Sequence, residues 1–354
     1  MSGMVRPAEA RIVRPERAVH NVTPMTDTLV VTSGTRDDTR HAPAAGDYLP
    51  PATGMCVYRL QHGEDEHVGV VADVSVQAFA DGRVRGHEAV CPARVEGLVE
   101  HFASVPRRTE LVALLHAVEP DVDRTVEATL DGPPLVDFIG PDGWRQTVWR
   151  VSDAASVQLA DALDRSIHYI ADGHHRVAAS LALWERAGRP AESALLCVLY
   201  PMHGLRLRAF HRRISGPVDP VHLRLLLAGC CDVTEGASGE TPTGGTSVYV
   251  DGTWLRVEPA VDRPAGVDGL DLTILEQHVL TPLLGAAMVE RTESISVTSP
   301  LGQLVSLCDR DGGALFVLAP PTLEQLREVA DLGQVMPPKT TYFDPKPYAG
   351  IIVR

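Results

Sequence analysis

Apolar positions along the chain recur with two different periods, and the contrast lays out its elements. Residues 167–171, Ile-His-Tyr-Ile-Ala, form a short apolar run of strand character. The run stops at Asp172-Gly173. From 173 to 187 the apolar residues Val177, Leu181 and Trp184 fall on one helical face, with Asp172 as the expected N-cap and Gly188 and Pro190 as the stop. Residues 56–60 and 68–76 read as the strands of one hairpin, joined through the polar segment 62–67. A helix follows Cys91-Pro92, with Val95, Leu98, Val99 and Phe102 facing inward and Pro106 beyond it. Residues 108–116 are expected as another short helix, and a strand-rich piece ends at 148–151. Residues 154–163 read as a helix leading into the 167–171 strand.

Residues 194–200 and 205–213 read as strands, and the composition shifts near Gly216-Pro217. Beyond it the periodicity predicts helices over 220–227, 272–284 and 323–331, and strands over 246–249, 254–257 and 314–318. A Gly/Thr/Ser-rich loop spans 236–246. Residues 1–50 are rich in Pro, Thr, Arg and Asp with little periodicity, apart from a brief possible strand at 29–31. The resulting expectation is an α+β chain with a poorly ordered or divergent segment over 1–50, a first domain over 51–216 and a second over 217–354. No internal repeat is evident.

Composition narrows the class. A chain of 354 residues with 44% hydrophobic and 22% charged content can build two cores. Its net charge of −14 opposes general attraction to nucleic acid or anionic lipid. No run reaches membrane-span length and no apolar signal-peptide core opens the chain, so a cytoplasmic protein with neither nucleic-acid nor membrane partner is expected. Cys56, Cys91, Cys197, Cys230, Cys231 and Cys308 lack CxxC spacing, which points to reduced thiols.

Three segments carry candidate chemistry. In Asp172-Gly173-His174-His175-Arg176, two histidines and an arginine crowd the start of a helix, where N–H groups and the dipole favour an anion. A carboxylate beside a polyphosphate would repel it unless Mg²⁺ bridged them, so Asp172 is the expected metal ligand. In Arg83-Val84-Arg85-Gly86-His87-Glu88, Glu88 is a candidate general base, with His87 binding substrate or orienting the carboxylate. The third segment is compositional. Arginine fills the cationic positions of this chain except at Lys339 and Lys346, both inside Met336-Pro337-Pro338-Lys339-Thr340-Thr341-Tyr342-Phe343-Asp344-Pro345-Lys346. Keeping the compact point charge against that bias suggests sites that need it. Thr340 and Thr341 could contact phosphate or metal, and His211 and Arg212 could complete an anion site. Neither a P-loop nor a strand-linked GxGxxG is present.

These pieces, in their order along the chain, resemble the family catalogued as domain of unknown function 1015. That family is similar to free serine kinases with a ParB/sulfiredoxin-like fold. The resemblance rests on Gly86-His87-Glu88, Trp149-Arg150-Val151, 169–176, His211-Arg212, Leu275-Glu276 through Gly285, and Met336 through Lys346, over roughly 54–354. It implies a ParB/sulfiredoxin-like catalytic domain and phosphoryl transfer from ATP or ADP, with Mg²⁺, to the hydroxyl of a free amino acid such as serine or threonine. Glu88, Asp172 and His175 would then be catalytic. Gly173, His174 and Arg176 would hold the nucleotide; the lysine segment is not clearly shared with those kinases, so the expectation that Lys339, Thr340, Thr341 and Lys346 hold it too, with Lys339 or Lys346 on the donor phosphates, rests on the residues themselves. His87, His211 and Arg212 would receive the acceptor. The residue after the DGHHR string is Val177, where the family usually has an aromatic, and this leaves the acceptor open. Two other readings compete: a nucleotide-binding ParB-like regulator without kinase activity, and a metal-dependent hydrolase using Asp172, His174 and His175. Adjacent helical histidines diverge by about 100°, which disfavours the hydrolase.

Overall fold

A computed structural model describes residues 3–24, 45–104, 109–236, 239, 242, 244–259 and 263–354. The possible strand at 29–31 and the stop at Pro106 lie outside them. The chain divides into two units. One comprises Met1–Gly86, Val90–Arg206 and Pro345–Arg354; the other comprises His87–Ala89 and Leu207–Asp344. The division therefore falls after Arg206 rather than near 216, and the C-terminal segment belongs to the first unit. Helices and mixed sheets together make the chain α+β.

The first unit is built on a nine-stranded sheet. Its path runs Val84–Arg85, His168–Asp172, Val112–His116, Ala194–Pro201, Asp65–Ser75, Cys56–His62, Arg145–Arg150 and Val136–Ile139, with Val5–Arg6 pairing Asp65–Ser75. The predicted hairpin is present with longer arms, in register from Cys56↔Val71 to His62↔Asp65. Alternate residues serve two faces, as the strand period of two requires. Val57, Val70, Ala72, Val74, Leu114 and Ile170 meet apolar residues of the helices Pro120–Leu130, Asp153–Leu163 and His174–Arg186. On the other face Tyr58 and Tyr200 are fully buried, and Tyr348 N–H donates to the Tyr58 hydroxyl at 3.2 Å.

Of the helix expected over 108–116, the described residues 109–116 are not helical. Val112–His116 is a strand, buried at every position between His168–Asp172 and Ala194–Pro201. A central strand covered on both faces reads as a continuous apolar run, and such a run carries no period that separates it from a buried helix.

The leader is a structural part of this unit wherever it is described. Ala8–Ile12 pairs with both Ala52–Gly54 and Ile352–Val353, and Thr23–Pro24 pairs with Tyr348–Ala349. Val13 and Ala18 are fully buried, and the buried Tyr48 hydroxyl donates to Gly350 O at 3.0 Å. The two ends of the chain thus form one structure.

The second unit carries a six-stranded antiparallel sheet ordered Cys231–Glu235, Thr253–Pro259, Thr246–Val250, Ala314–Leu318, His211–Ile214 and Thr292–Ile295. Within Ala314–Leu318, residues 314, 316 and 318 join the core with Leu223 and Leu227 of the helix Pro220–Cys230. Leu315 and Val317 meet Leu304 and Cys308 of Leu301–Asp311 on the other side. The strand expected over 205–213 is two short ones, Arg206–Arg208 and His211–Ile214. The helix expected over 272–284 is present but widens at Glu276–Leu280 into a π turn. Pro282 explains this: it lacks an N–H and its ring crowds the carbonyl four residues back, so Thr281 N–H reaches Glu276 O instead.

Candidate active site

The strand His168–Asp172 meets its neighbour with a register shift between Ile170 and Asp172. Such a bulge re-aims the side chain that follows it. Asp172 is the last strand residue and not the cap. The N-cap of helix His174–Arg186 is Gly173, at φ 109, a conformation that favours glycine; a Cβ there would also lie 3.0 Å from Arg176 Nη2. With glycine in that position no side chain caps the helix start.

The Asp172 carboxylate is therefore available for other partners. Oδ2 accepts from Arg176 Nη2 at 2.5 Å, and Oδ1 accepts from Lys346 Nζ. Arg176 is itself 8% exposed and donates its other terminal nitrogen to Leu111 O at 2.5 Å. Burial alone would raise the Asp172 carboxyl, but Lys346 and then Arg176 outweigh it and hold it below the ordinary carboxylate value. His175 Nε2 accepts the Cys91 N–H at 3.0 Å, tying the start of helix Pro92–Ser104 to that of His174–Arg186. His174 is buried, and Gly86 packs so close to its ring that a Cβ would lie 3.0 Å from Cδ2.

Two of the expected nucleotide-binding cations have a partner within the fold. Lys346 rests on Asp172. Arg176 is a buried brace for the same carboxylate. Each Asp172 oxygen already accepts from a cation, so Mg²⁺ there would share the carboxylate with Lys346 and Arg176. Among the described residues no group of three or more His, Cys, Asp or Glu side chains could hold a metal.

In the second unit the lysine segment forms an anchored loop. Arg212, 2% exposed, donates to Pro338 O at 2.8 Å and Lys339 O at 3.1 Å, with Glu276 3.8 Å from its Nε. Two consecutive carbonyls suit the planar guanidinium fork. The clamp fixes Lys339 at φ 58, and the exposed ammonium lies 5.0 Å from the Phe210 ring centroid. Thr340 Oγ1 donates to Pro337 O at 2.6 Å, which closes the turn. Met336 N–H donates to His87 O at 2.8 Å, and Glu88 and Met336 form a parallel bridge. His87 Nε2 and Thr341 Oγ1 are hydrogen-bonded at 3.0 Å.

The half-buried Glu88 thus stands on the lysine loop, which the buried His87, Arg212 and Thr340 and the half-buried Thr341 hold in place, while His211 is buried in the neighbouring strand. The pairing of Lys346 with Asp172 and of His87 with Thr341 escapes sequence reasoning. The two-lysine bias is the one signal that marks these segments.

Burial pushes the His87 imidazole down to about 4. Its neutral form is then favoured in the folded state, while the unfolded chain takes up a proton near the ordinary value of about 6.5. The associated stability is fully present above about 6.5 and is lost as pH falls toward about 4, up to about 3 kcal/mol in all. Urea titrations between about pH 7 and pH 4 should show this fall, and His87→Gln should flatten the slope by that share. An unchanged slope in the variant would mean that His87 takes up its proton equally in the folded and unfolded chain, and that burial does not disfavour its charged form.

No helix among the described residues is long and apolar enough to cross a membrane. The family described as "Protein of unknown function (DUF1015)" matches residues 11–273. The match begins inside the leader and ends before the lysine segment, so it extends further toward the N-terminus than the resemblance over 54–354 and stops short of its end. No curated protein matches the chain. Among solved structures it is similar to a free serine kinase mutant in complex with ADP, at 14% identity and a TM-score of 0.41, over 78% of this chain and 87% of that one. It is also similar to a conserved hypothetical protein from Pyrococcus furiosus, at 15% identity and a TM-score of 0.37, over 78% and 91%. A C-terminally truncated SbnI from Staphylococcus aureus is similar at 13% identity and a TM-score of 0.37, over 77% and 82%.

Proposed function

The chain belongs to the family described as protein of unknown function DUF1015, and from that premise we propose that it is a small-molecule kinase. It would move a phosphoryl group from ATP or ADP to the side-chain hydroxyl of a free amino acid such as serine or threonine, using a ParB/sulfiredoxin-like first unit. The observation that carries this reading is the helix start at Gly173, where no side chain caps the first turn and Arg176 and Lys346 converge on Asp172. A helix start open to an anion and flanked by cations suits a phosphate better than it suits a neutral ligand.

In this reading the N–H groups after Gly173 receive phosphate oxygens, and His174 and His175 shape the turn. Glu88 accepts the proton of the acceptor hydroxyl. The freed oxygen bonds to the terminal phosphorus, and the bridging P–O bond breaks with its electrons leaving on the nucleotide. Gly86 packs on the His174 ring at this turn. Lys339, held by the Arg212 clamp, is the exposed cation of the loop and contacts the donor. Asp172, whose oxygens each already accept from a cation, would hold Mg²⁺ only by sharing its carboxylate with Lys346 and Arg176. Most of the acceleration would come from positioning and fixed charge.

A phosphorus-NMR screen of free amino acids with ATP and with ADP, in magnesium-containing buffer, tests the proposal. A phosphomonoester formed with a hydroxylated amino acid is the expected result. Nucleotide binding without transfer to any acceptor would favour the regulatory reading, and binding of neither nucleotide would end the kinase reading.

A further inference from the structure

Helix Pro220–Cys230 runs directly into strand Cys231–Glu235, so two cysteines meet at the junction. Cys231 is already extended, at φ −140 and ψ 153, and this change of backbone leaves both sulfurs on one side, 3.4 Å apart. Cys230 is 8% exposed, with its Sγ 3.4 Å from Leu226 O and 3.8 Å from Leu227 O. Cys231 is half-buried and so can be reached from solvent. Of the other four cysteines, Cys91 is exposed and Cys56, Cys197 and Cys308 are buried.

We propose that Cys230 and Cys231 form a two-sulfur binding site for trivalent arsenicals. The ligand class follows from what the junction offers. A structural zinc ion needs four ligands, and no group of three or more suitable side chains exists among the described residues. A disulfide needs an S–S bond of about 2.05 Å, so the sulfurs would have to close by more than about 1 Å across a single peptide bond. A soft centre that bridges two sulfurs without bonding them to each other needs no such closure.

Burial, the hydrogen bond with Cys230 and the nearby Asp271 and Asp232 push the Cys231 thiol up to about 12. Ordinary alkylating reagents, which need thiolate, react slowly with such a group. The arsenical gains instead from the second sulfur. Once the accessible Cys231 has reacted, closure on Cys230 is intramolecular.

The step balances without an oxidant. Two S–H bonds and the As=O bond of an organoarsenic(III) oxide break, two As–S bonds form, and the oxygen leaves as water with both thiol protons. Arsenic stays trivalent throughout.

The test uses the full chain with equimolar phenylarsine oxide and an untreated control, each then unfolded in denaturant without thiol, alkylated with iodoacetamide and mapped by peptide mass spectrometry, so that both cysteines are alkylated in the control. One adduct should form, with Cys230 and Cys231 both protected from alkylation. Dithiothreitol should release it, and an excess of a monothiol should not. Cys91→Ser should retain the adduct, and Cys231→Ser should weaken capture about 10²-fold or more. If Cys231→Ser fails to fold, the alkylation map of the unsubstituted protein decides by itself. Protection centred on Cys91, or no paired protection at all, would overturn the proposal. Kinase activity has no part in this readout.

Discussion

Asp172→Asn should destabilise the first unit by about 2–4 kcal/mol at neutral pH. The substitution keeps the shape and removes the charge, leaving Lys346 and Arg176, with side chains 22% and 10% exposed, facing each other without their counter-ion. Removing one member of a buried ion cluster is costly because the remaining charges stay desolvated, by about 3–5 kcal/mol for full burial and less for partial exposure. Lys346→Met should cost far less, since Asp172 and Arg176 remain a neutral pair. In the double variant, Lys346→Met should recover part of the asparagine penalty. Urea unfolding of the four proteins measures the coupling. If Asp172→Asn stays within about 0.5 kcal/mol of the parent, the three groups are solvated independently and the corner is not an electrostatic unit.

Glu88→Gln should reduce phosphoryl transfer by about 10²–10⁴-fold, the range that a positioned general base supplies. Nucleotide affinity should remain within a factor of two or so, because in the proposed roles the donor is held by the Gly173 helix start and Lys339. Single-turnover transfer and equilibrium nucleotide titration separate the two effects. A variant that loses nucleotide binding along with turnover would show that Glu88 supports the loop bridged at Met336. Unaltered transfer would remove Glu88 from the chemistry.

Much of the fold is legible wherever one face of an element is wet. The helix His174–Arg186, the hairpin beginning at Cys56 and the helix Leu323–Asp331 follow from period and punctuation alone. Thr322 even forms the reciprocal cap with Gln325. Legibility fails where burial is two-sided or contacts are remote. Val112–His116 has no wet face and so no period. Ala8–Ile12 gains its partners from residues 52–54 and 352–353, a separation that no local window spans.

The candidate site divides the same way. The anion site proposed at Gly173 is local in its signal, a glycine followed by histidines and arginine. The electrostatics of Asp172 are not, because Lys346 arrives from 174 residues away. Arg212 illustrates the converse: its charge suggests a ligand contact, and only the fold shows its donors taken by Pro338 and Lys339 carbonyls.

The stitching of Ala8–Ile12 and Thr23–Pro24 to Ile352–Val353 and Tyr348–Ala349 gives the first unit a seam of very long sequence separation. Contacts of that kind close a large loop before they are rewarded, so this seam should be among the slower parts of the fold to form. Lys346 lies just before Tyr348, so the Asp172 corner gains its lysine as the seam closes.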